Sequence, residues 1–295
     1  SKYGAAWAIA VVQDVQSGEI LALADSDEVQ AGTDAAKMSP SRAVSETFEP
    51  GSVGKVISMS GYLQMGLHKM SDQLSVPDHI TQEGQTYKDS FDHGTERWTL
   101  AGILQNSSNV GMIMAGENYP DEQRYEYLTK FGIGQPTGLN LPGESSGLLT
   151  NPSAWDLRTR NTILFGHGKT TESKKGEATR VVDEKVASDM MNAMESVAEG
   201  YNKFVKVDGY RMAAKSGTAE VQGSDGTLSS IISDYSVVIP ADNPRYAVTV
   251  VMKDPNGVFG GLTAGPVSAQ ICEFLMQKYE VPVSSPRKNA IPVTW

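Results

Sequence analysis

The stretch Phe48–Gly66, FEPGSVGKVISMSGYLQMG, decides how the chain is read. Pro50 and Gly51 interrupt what precedes them, and a helix is predicted from Ser52, carrying Val53, Val56, Ile57, Leu63 and Met65 as apolar side chains. Positions three apart share a helix face, so Ser52 and Lys55 bring a hydroxyl and an amine side by side. An isolated S-x-x-K reads as an N-cap serine followed by a solvated lysine. A second S-x-x-K, Ser285 to Lys288, lies in a proline-rich tail, so one match decides nothing.

The chain has 295 residues, 39% of them apolar and 20% charged, which is ordinary globular composition with enough length for a substantial core. A formal net charge of −10 and a sequence pI near 4.9 argue against nucleic acid or an anionic membrane surface as the main partner. No run approaches the roughly 18 apolar residues of a membrane-spanning helix, and no signal-peptide pattern stands at the start, so the chain as given reads as soluble. Cys272, the single cysteine, excludes an intrachain disulfide and lies in VSAQICEFLM, where it reads as a small buried hydrophobe. His68, His79, His93 and His167 show no metal-ligand spacing. Asp89, Asp92 and His93, in KDSFDHGTE, read as a solvated turn rather than a metal site.

Two β-rich runs, AWAIAVVQDV and EILALA, joined around Gly18, predict a hairpin of central strands. From the Ser52 helix to Gly200 the pattern is mostly helical, broken by glycine and proline. Strands return in YRMAAKSGTAEV, SDYSVVIP and, after the turn ADNP, RYAVTVVMKDP; a last helix is predicted from about Pro266 to Tyr279. Strands at both ends around a helical middle predict an α+β architecture, an antiparallel sheet with an inserted helical region and a site between the two lobes.

Two further motifs follow Ser52. In QNSSNVGM, Ser107 and Asn109 form S-x-N on a predicted loop entering a helix, which alone is also a polar cap. In AAKSGTAE, Lys215, Ser216, Gly217 and Thr218 open the first late strand; Gly217 there implies a close approach to the backbone, or simply a bulge. In the order S-x-x-K, S-x-N, K-[ST]-G, the three are far more specific than any one of them and mark serine enzymes that acylate on penicillin or peptidoglycan stems.

With these motifs and the flanks FEPGSVGK, SSNVG, KFGIGQPTGLNLPGE, NTILFGHG, DGYRMAAKSGTAE and IPADNPRYAVTVVM, the chain resembles the penicillin-binding proteins, specifically the high-molecular-mass class B transpeptidases that build septal or lateral wall. The resemblance covers nearly the whole chain. It implies a penicillin-binding/β-lactamase-like transpeptidase fold over residues 1–295, an antiparallel sheet flanked by helices with an all-helical lobe. It implies Ser52 as the nucleophile, Ser107 as a proton shuttle, Asn109 as a partner for the substrate amide, and the backbone N–H groups of Ser52 and Thr218 as the oxyanion hole. Lys215, Ser216, Gly217 and Thr218 would bind the substrate's terminal carboxylate or a β-lactam. No metal or organic cofactor is implied; the partners implied are stem peptides ending in D-alanyl-D-alanine, β-lactams and cell-division or elongation proteins.

The residue types support these roles independently. A serine hydroxyl is a poor nucleophile until a base takes its proton, so Lys55 must be neutral. Carrying a lysine from about 10.4 to about 7 takes about 4 kcal/mol, which burial and a second cation, Lys215, would supply.

ILFGHGKTT looks like the end of a phosphate-binding loop, but the required first glycine is Ile163, so that reading fails. In the family, FGHG continues through a further helix before the segment resembling GEATRVVDEKVASDMMNAME; here Gly168 runs directly into KTTESKKGEATR, which implies either a deletion in this member or, the reading preferred here, residues of the parent missing between 168 and 169. Family members also carry a membrane anchor and a pedestal domain ahead of this region, so the chain reads as an excised domain, expected monomeric, from a parent on the outer face of the bacterial cytoplasmic membrane. The alternatives are a β-lactam sensor or non-catalytic division scaffold of the same fold, and a serine β-lactamase.

Overall fold

The structure is a computed structural model and describes residues 2–26, 40–168, 179–222 and 228–295; the junction after Gly168 lies at the border of the described residues. Strands β1 (Trp7–Asp14) and β2 (Ile20–Asp25) form the expected antiparallel hairpin. Only β1 is internal, because β2 is an edge of the sheet and leaves much of its surface to solvent. An apolar run of six residues does not distinguish an edge from a centre. Helix α1 (Arg42–Ser45) then packs on both strands.

A 3₁₀ turn at Gly51–Gly54 leads into helix α2 (Lys55–Gln64). Its buried stripe is Lys55, Met59 and Tyr62, spaced as one helical face. The expected apolar positions Val56, Ile57 and Leu63 are only partly covered, and Met65 is exposed. The lysine thus sits where a core residue belongs.

The middle of the chain holds four short strands that the helical reading missed. Strand β3 (Gln73–Val76) pairs with β6 (Glu96–Thr99), and β4 (His79–Gln82) with β5 (Gln85–Lys88). Each has four mostly polar residues, too few to give a period-two signal. Helices α3 (Leu100–Gln105), α4 (Asn109–Ala115), α5 (Asp121–Lys130), α6 (Leu157–Thr162) and α7 (Glu184–Gly200) complete the helical lobe. Its core gathers Met59, Tyr62, Trp98, Ile103, Leu104, Met112 and Val197.

Strands β7 (Ala213–Gln222), β8 (Leu228–Ile239) and β9 (Tyr246–Lys253) close one five-stranded antiparallel sheet in the order β2-β1-β9-β8-β7. Both ends of the chain therefore build it, as expected. Helix α8 (Ala264–Lys278) covers one face, burying Cys272 with Tyr235, Val237, Val248 and Val250. Among the described residues no helix is long and apolar enough to cross a membrane.

Beyond α8 the tail runs from one lobe to the other. Ser284 N–H donates to the Gly209 carbonyl, Arg287 donates to Glu199 and Asn192 on α7, and Thr99 N–H donates to the Val293 carbonyl. The second S-x-x-K belongs to this tail, outside any helix. Nearby, Arg211 grips the buried Glu195 of α7 with two bonds of 2.7 Å, tying the start of β7 to the helical lobe. Arg211→Ala leaves that carboxylate with only the more distant Arg287 at 3.8 Å. We expect it to lower stability by about 3 kcal/mol, read by chemical denaturation.

Candidate active site

The cleft forms where edge strand β7 meets the turn at the head of α2 and the loop between α3 and α4. Gly51 makes the first meeting possible: it has φ of +50°, and a Cβ there would stand 2.7 Å from the Thr218 carbonyl. The nucleophile turn can therefore lie directly on the K-S-G-T strand. Ser52 is half-buried at this seam.

Lys55 is fully buried one turn on, and its Nζ lies 2.9 Å from Ser52 Oγ. The same Nζ donates to Ser107 Oγ at 3.1 Å and to the Ser107 carbonyl. Ser107 presents both oxygens because its backbone is left-handed, with φ of +55°, a conformation that costs a non-glycine residue on the order of 1 kcal/mol or more. Lys215, also fully buried, completes the chain of contacts: its Nζ reaches Ser107 Oγ at 2.9 Å and the Ser216 carbonyl at 2.8 Å. Four of the expected residues, Ser52, Lys55, Ser107 and Lys215, thus form one continuous polar line across both lobes.

Burial pulls the Lys55 amine well below its ordinary value, and the neighbouring charge of Lys215 adds to this, with Asp89 opposing. Burial likewise pulls Lys215 down to about 7, against the attraction of Asp234. Both influences named from the sequence, desolvation and a neighbouring cation, act on Lys55 in this geometry.

The remaining expected residues flank that line. Ser216 is buried with its hydroxyl 3.1 Å from Tyr201 Oη, while Thr218 Oγ1 contacts the Gly217 carbonyl at 2.9 Å. Gly217 leaves no room for a side chain: a Cβ would stand 1.9 Å from Asp234 Oδ1 and 2.8 Å from the Pro50 carbonyl. Asn109 opens α4, and its side-chain amide donates to the Lys88 carbonyl at 3.2 Å rather than to either lysine.

The reading of KDSFDHGTE as a solvated turn holds for Asp92 but fails for Asp89 and His93. Asp89 is buried and accepts from Ser108 Oγ at 2.6 Å, Asn109 N–H at 2.5 Å and Val110 N–H at 3.0 Å. It therefore caps α4 and fixes the turn that holds Ser107. His93 Nε2 lies 3.0 Å from the same carboxylate. Burial works to lower the His93 imidazole, but the bonds to Asp89 and the Gly94 carbonyl prevail and raise it. Nothing local in the sequence marked Asp89, because its partners lie about twenty residues downstream.

Comparison with known proteins agrees with this geometry. Residues 8–174 and 169–273 match the family described as the penicillin binding protein transpeptidase domain. PbpB of Mycolicibacterium smegmatis is 29% identical over 93% of this chain and 51% of its own length, and the peptidoglycan D,D-transpeptidase FtsI of Escherichia coli is 32% identical over 89% and 50%. The chain thus spans about half the length of these curated relatives. A peptidoglycan synthetase from Bifidobacterium adolescentis overlays with a TM-score of 0.95 and 63% identity, over 100% of this chain and 60% of that one. Penicillin-binding protein 3 of Mycobacterium tuberculosis, solved with ampicillin, overlays with a TM-score of 0.89 and 29% identity over 99% and 76%. On a match that takes in both lobes and the seam between them, the chain belongs to the penicillin-binding protein transpeptidase domain family.

Proposed function

We propose that this chain is the transpeptidase unit of a class B, division-type penicillin-binding protein, cross-linking peptidoglycan stem peptides through an acyl-enzyme on Ser52. The observation that carries the reading is a fully buried Lys55 amine 2.9 Å from the Ser52 hydroxyl, with a second buried lysine one serine away. Neutral Lys55 takes the Ser52 proton as Oγ attacks the penultimate D-alanine carbonyl. The oxyanion is held by the backbone N–H groups of Ser52, in the first turn of its helix, and Thr218, on the edge strand. Lys55 and Ser107 return the proton to the departing D-alanine amine. The amine of a second stem peptide then attacks the ester, freeing Ser52 and forming the cross-link.

Lys215, Ser216 and Thr218 hold the substrate's terminal carboxylate, with Gly217 letting that strand seat against the Ser52 turn. Asn109 meets the substrate amide once its own side chain leaves the Lys88 carbonyl. A β-lactam, as a mimic of the D-alanyl-D-alanine end, acylates the same serine and leaves slowly. The relatives' names, peptidoglycan D,D-transpeptidase among them, support a role in wall synthesis, and on this reading the parent sits on the outer face of the cytoplasmic membrane, anchored there and working with cell-division proteins. We infer further that the parent carries residues between Gly168 and Lys169. In support, the family match divides at this point, into residues 8–174 and 169–273. Sequencing the parent gene across this junction tests that.

Incubation with a slowly leaving penicillin is expected to give a persistent one-to-one adduct by intact mass, absent from Ser52→Ala. No adduct points to a degenerate scaffold, and rapid hydrolysis to a β-lactamase. Lys55→Ala should slow acylation by about 10³-fold in stopped-flow assays, the usual worth of a positioned base. In the parent the rate should rise as pH climbs through the lowered Lys55 value and fall above about 7 as Lys215 loses its charge. Gly217→Ala should abolish acylation while leaving a folded chain by circular dichroism, since its Cβ would wedge β7 from the Ser52 turn.

A further inference from the structure

Asp234 has no part in the steps above, yet it is buried directly behind β7 and the turn that carries Ser52. It stands on β8 directly opposite Gly217, and opposed residues of an antiparallel pair share a face. Its carboxyl therefore lies on the same side of the sheet as Lys215, packed between β7 and the Pro50–Ser52 turn. The fit is tight enough that Gly217 cannot carry a side chain. Asp234 is 4% exposed, and among the described residues its Oδ1 has no hydrogen-bond partner. It borders a cavity of about 150 Å³ beneath the nucleophile turn, otherwise walled by residues such as Ile9, Phe48, Pro50, Val53 and Val251.

An unpartnered buried acid weakens a fold, so packing gives no reason for it. Charge does. Lys215 donates only to the neutral oxygens of Ser107 and Ser216, neither of which compensates a buried ammonium. We propose that Asp234 is a positioning residue that holds the proton on Lys215 and so sets the pH window in which Ser52 can be acylated. The inference rests on the reading of Ser52 and Lys215 given above.

The surroundings leave this task to Asp234. From α2 the facing group is Lys55, whose amine burial pulls well below its ordinary value. Glu46, at the cavity wall, is engaged by Arg42 at 2.7 Å, and Glu49, beside Pro50, by His167 at 2.6 Å. From β1 and β9 the cavity receives Ile9, Val11, Thr249 and Val251, none of them charged. Asp89 acts on Lys55 from the far side, and Tyr201 meets Ser216 on the opposite face of β7. Burial lowers Lys215 with Asp234 opposing, and burial raises Asp234 with Lys215 opposing, so each group favours the charged form of the other and the two titrate as a pair. Without the carboxylate the Lys215 proton leaves at lower pH. The substrate carboxylate then loses its cation, and Lys55 loses the neighbour that disfavours its own protonation.

The test is the pH profile of penicillin acylation for the parent, Asp234→Asn and Asp234→Ser, with melting temperatures alongside. Asparagine keeps the shape of the carboxyl and adds no heavy atom; serine is smaller and decides the matter if asparagine does not fold. The upper limb of the profile is expected to move at least about one pH unit lower in either variant, so that above it acylation falls about tenfold, while rates on the acid side stay close to the parent's. Upper limbs that coincide with the parent's, in folded variants, overturn the inference and leave the reading of Ser52 intact. A parent that is not acylated at any pH overturns that reading and this inference with it.

Discussion

Everything at the seam depends on keeping water from two lysines. A solvated Lys55 would hold its proton through neutral pH, and the base proposed for Ser52 would be lost. The exclusion is achieved by placing Lys55 on the core stripe of α2, beside Met59 and Tyr62, and Lys215 on an edge strand that the helical lobe covers. The two amines then act on one another. Each makes a second positive charge nearby harder to sustain, which favours one protonated and one neutral lysine over two ammonium groups.

That arrangement forces its polar surroundings to be complete. Ser107 satisfies both lysines, and can do so only in a left-handed backbone held from behind by the capped start of α4. Asp89 supplies that cap from the loop between β5 and β6, so the small sheets serve the site through this carboxylate and through the Lys88 carbonyl that takes the Asn109 amide. On the other side Gly217 and Gly51 let strand and turn approach to backbone distance. Bulk at either would separate the oxygens that the lysines need.

Much of this was legible in the sequence, and the reasons are specific. S-x-x-K at a helix start, S-x-N at a loop and K-S-G on a strand each fix a local geometry, and their order along the chain matched one family. The hairpin, the three late strands and the last helix carry strong periodicity and lie close to where they were expected. The four middle strands were missed because they are short and polar. Asp89 and Asp234 were illegible for another reason: each acts across a distance in sequence that no local pattern spans, and an aspartate on a strand or turn reads first as a solvated charge. The edge position of β2 was equally hidden, since sheet order is set by pairing between distant segments.

The tail after α8 bears on how the cleft behaves. Because it is bonded to Gly209 at one end and to α7 and Thr99 at the other, it straps the sheet lobe to the helical lobe. Hinge opening along the seam would have to stretch this strap and break the Arg211–Glu195 clasp at the same time. The cleft is consequently a fixed mould rather than a jaw. On the function proposed above, ligand binding spends little of its free energy on closing the site, and the dry setting that lowers Lys55 exists before any substrate arrives.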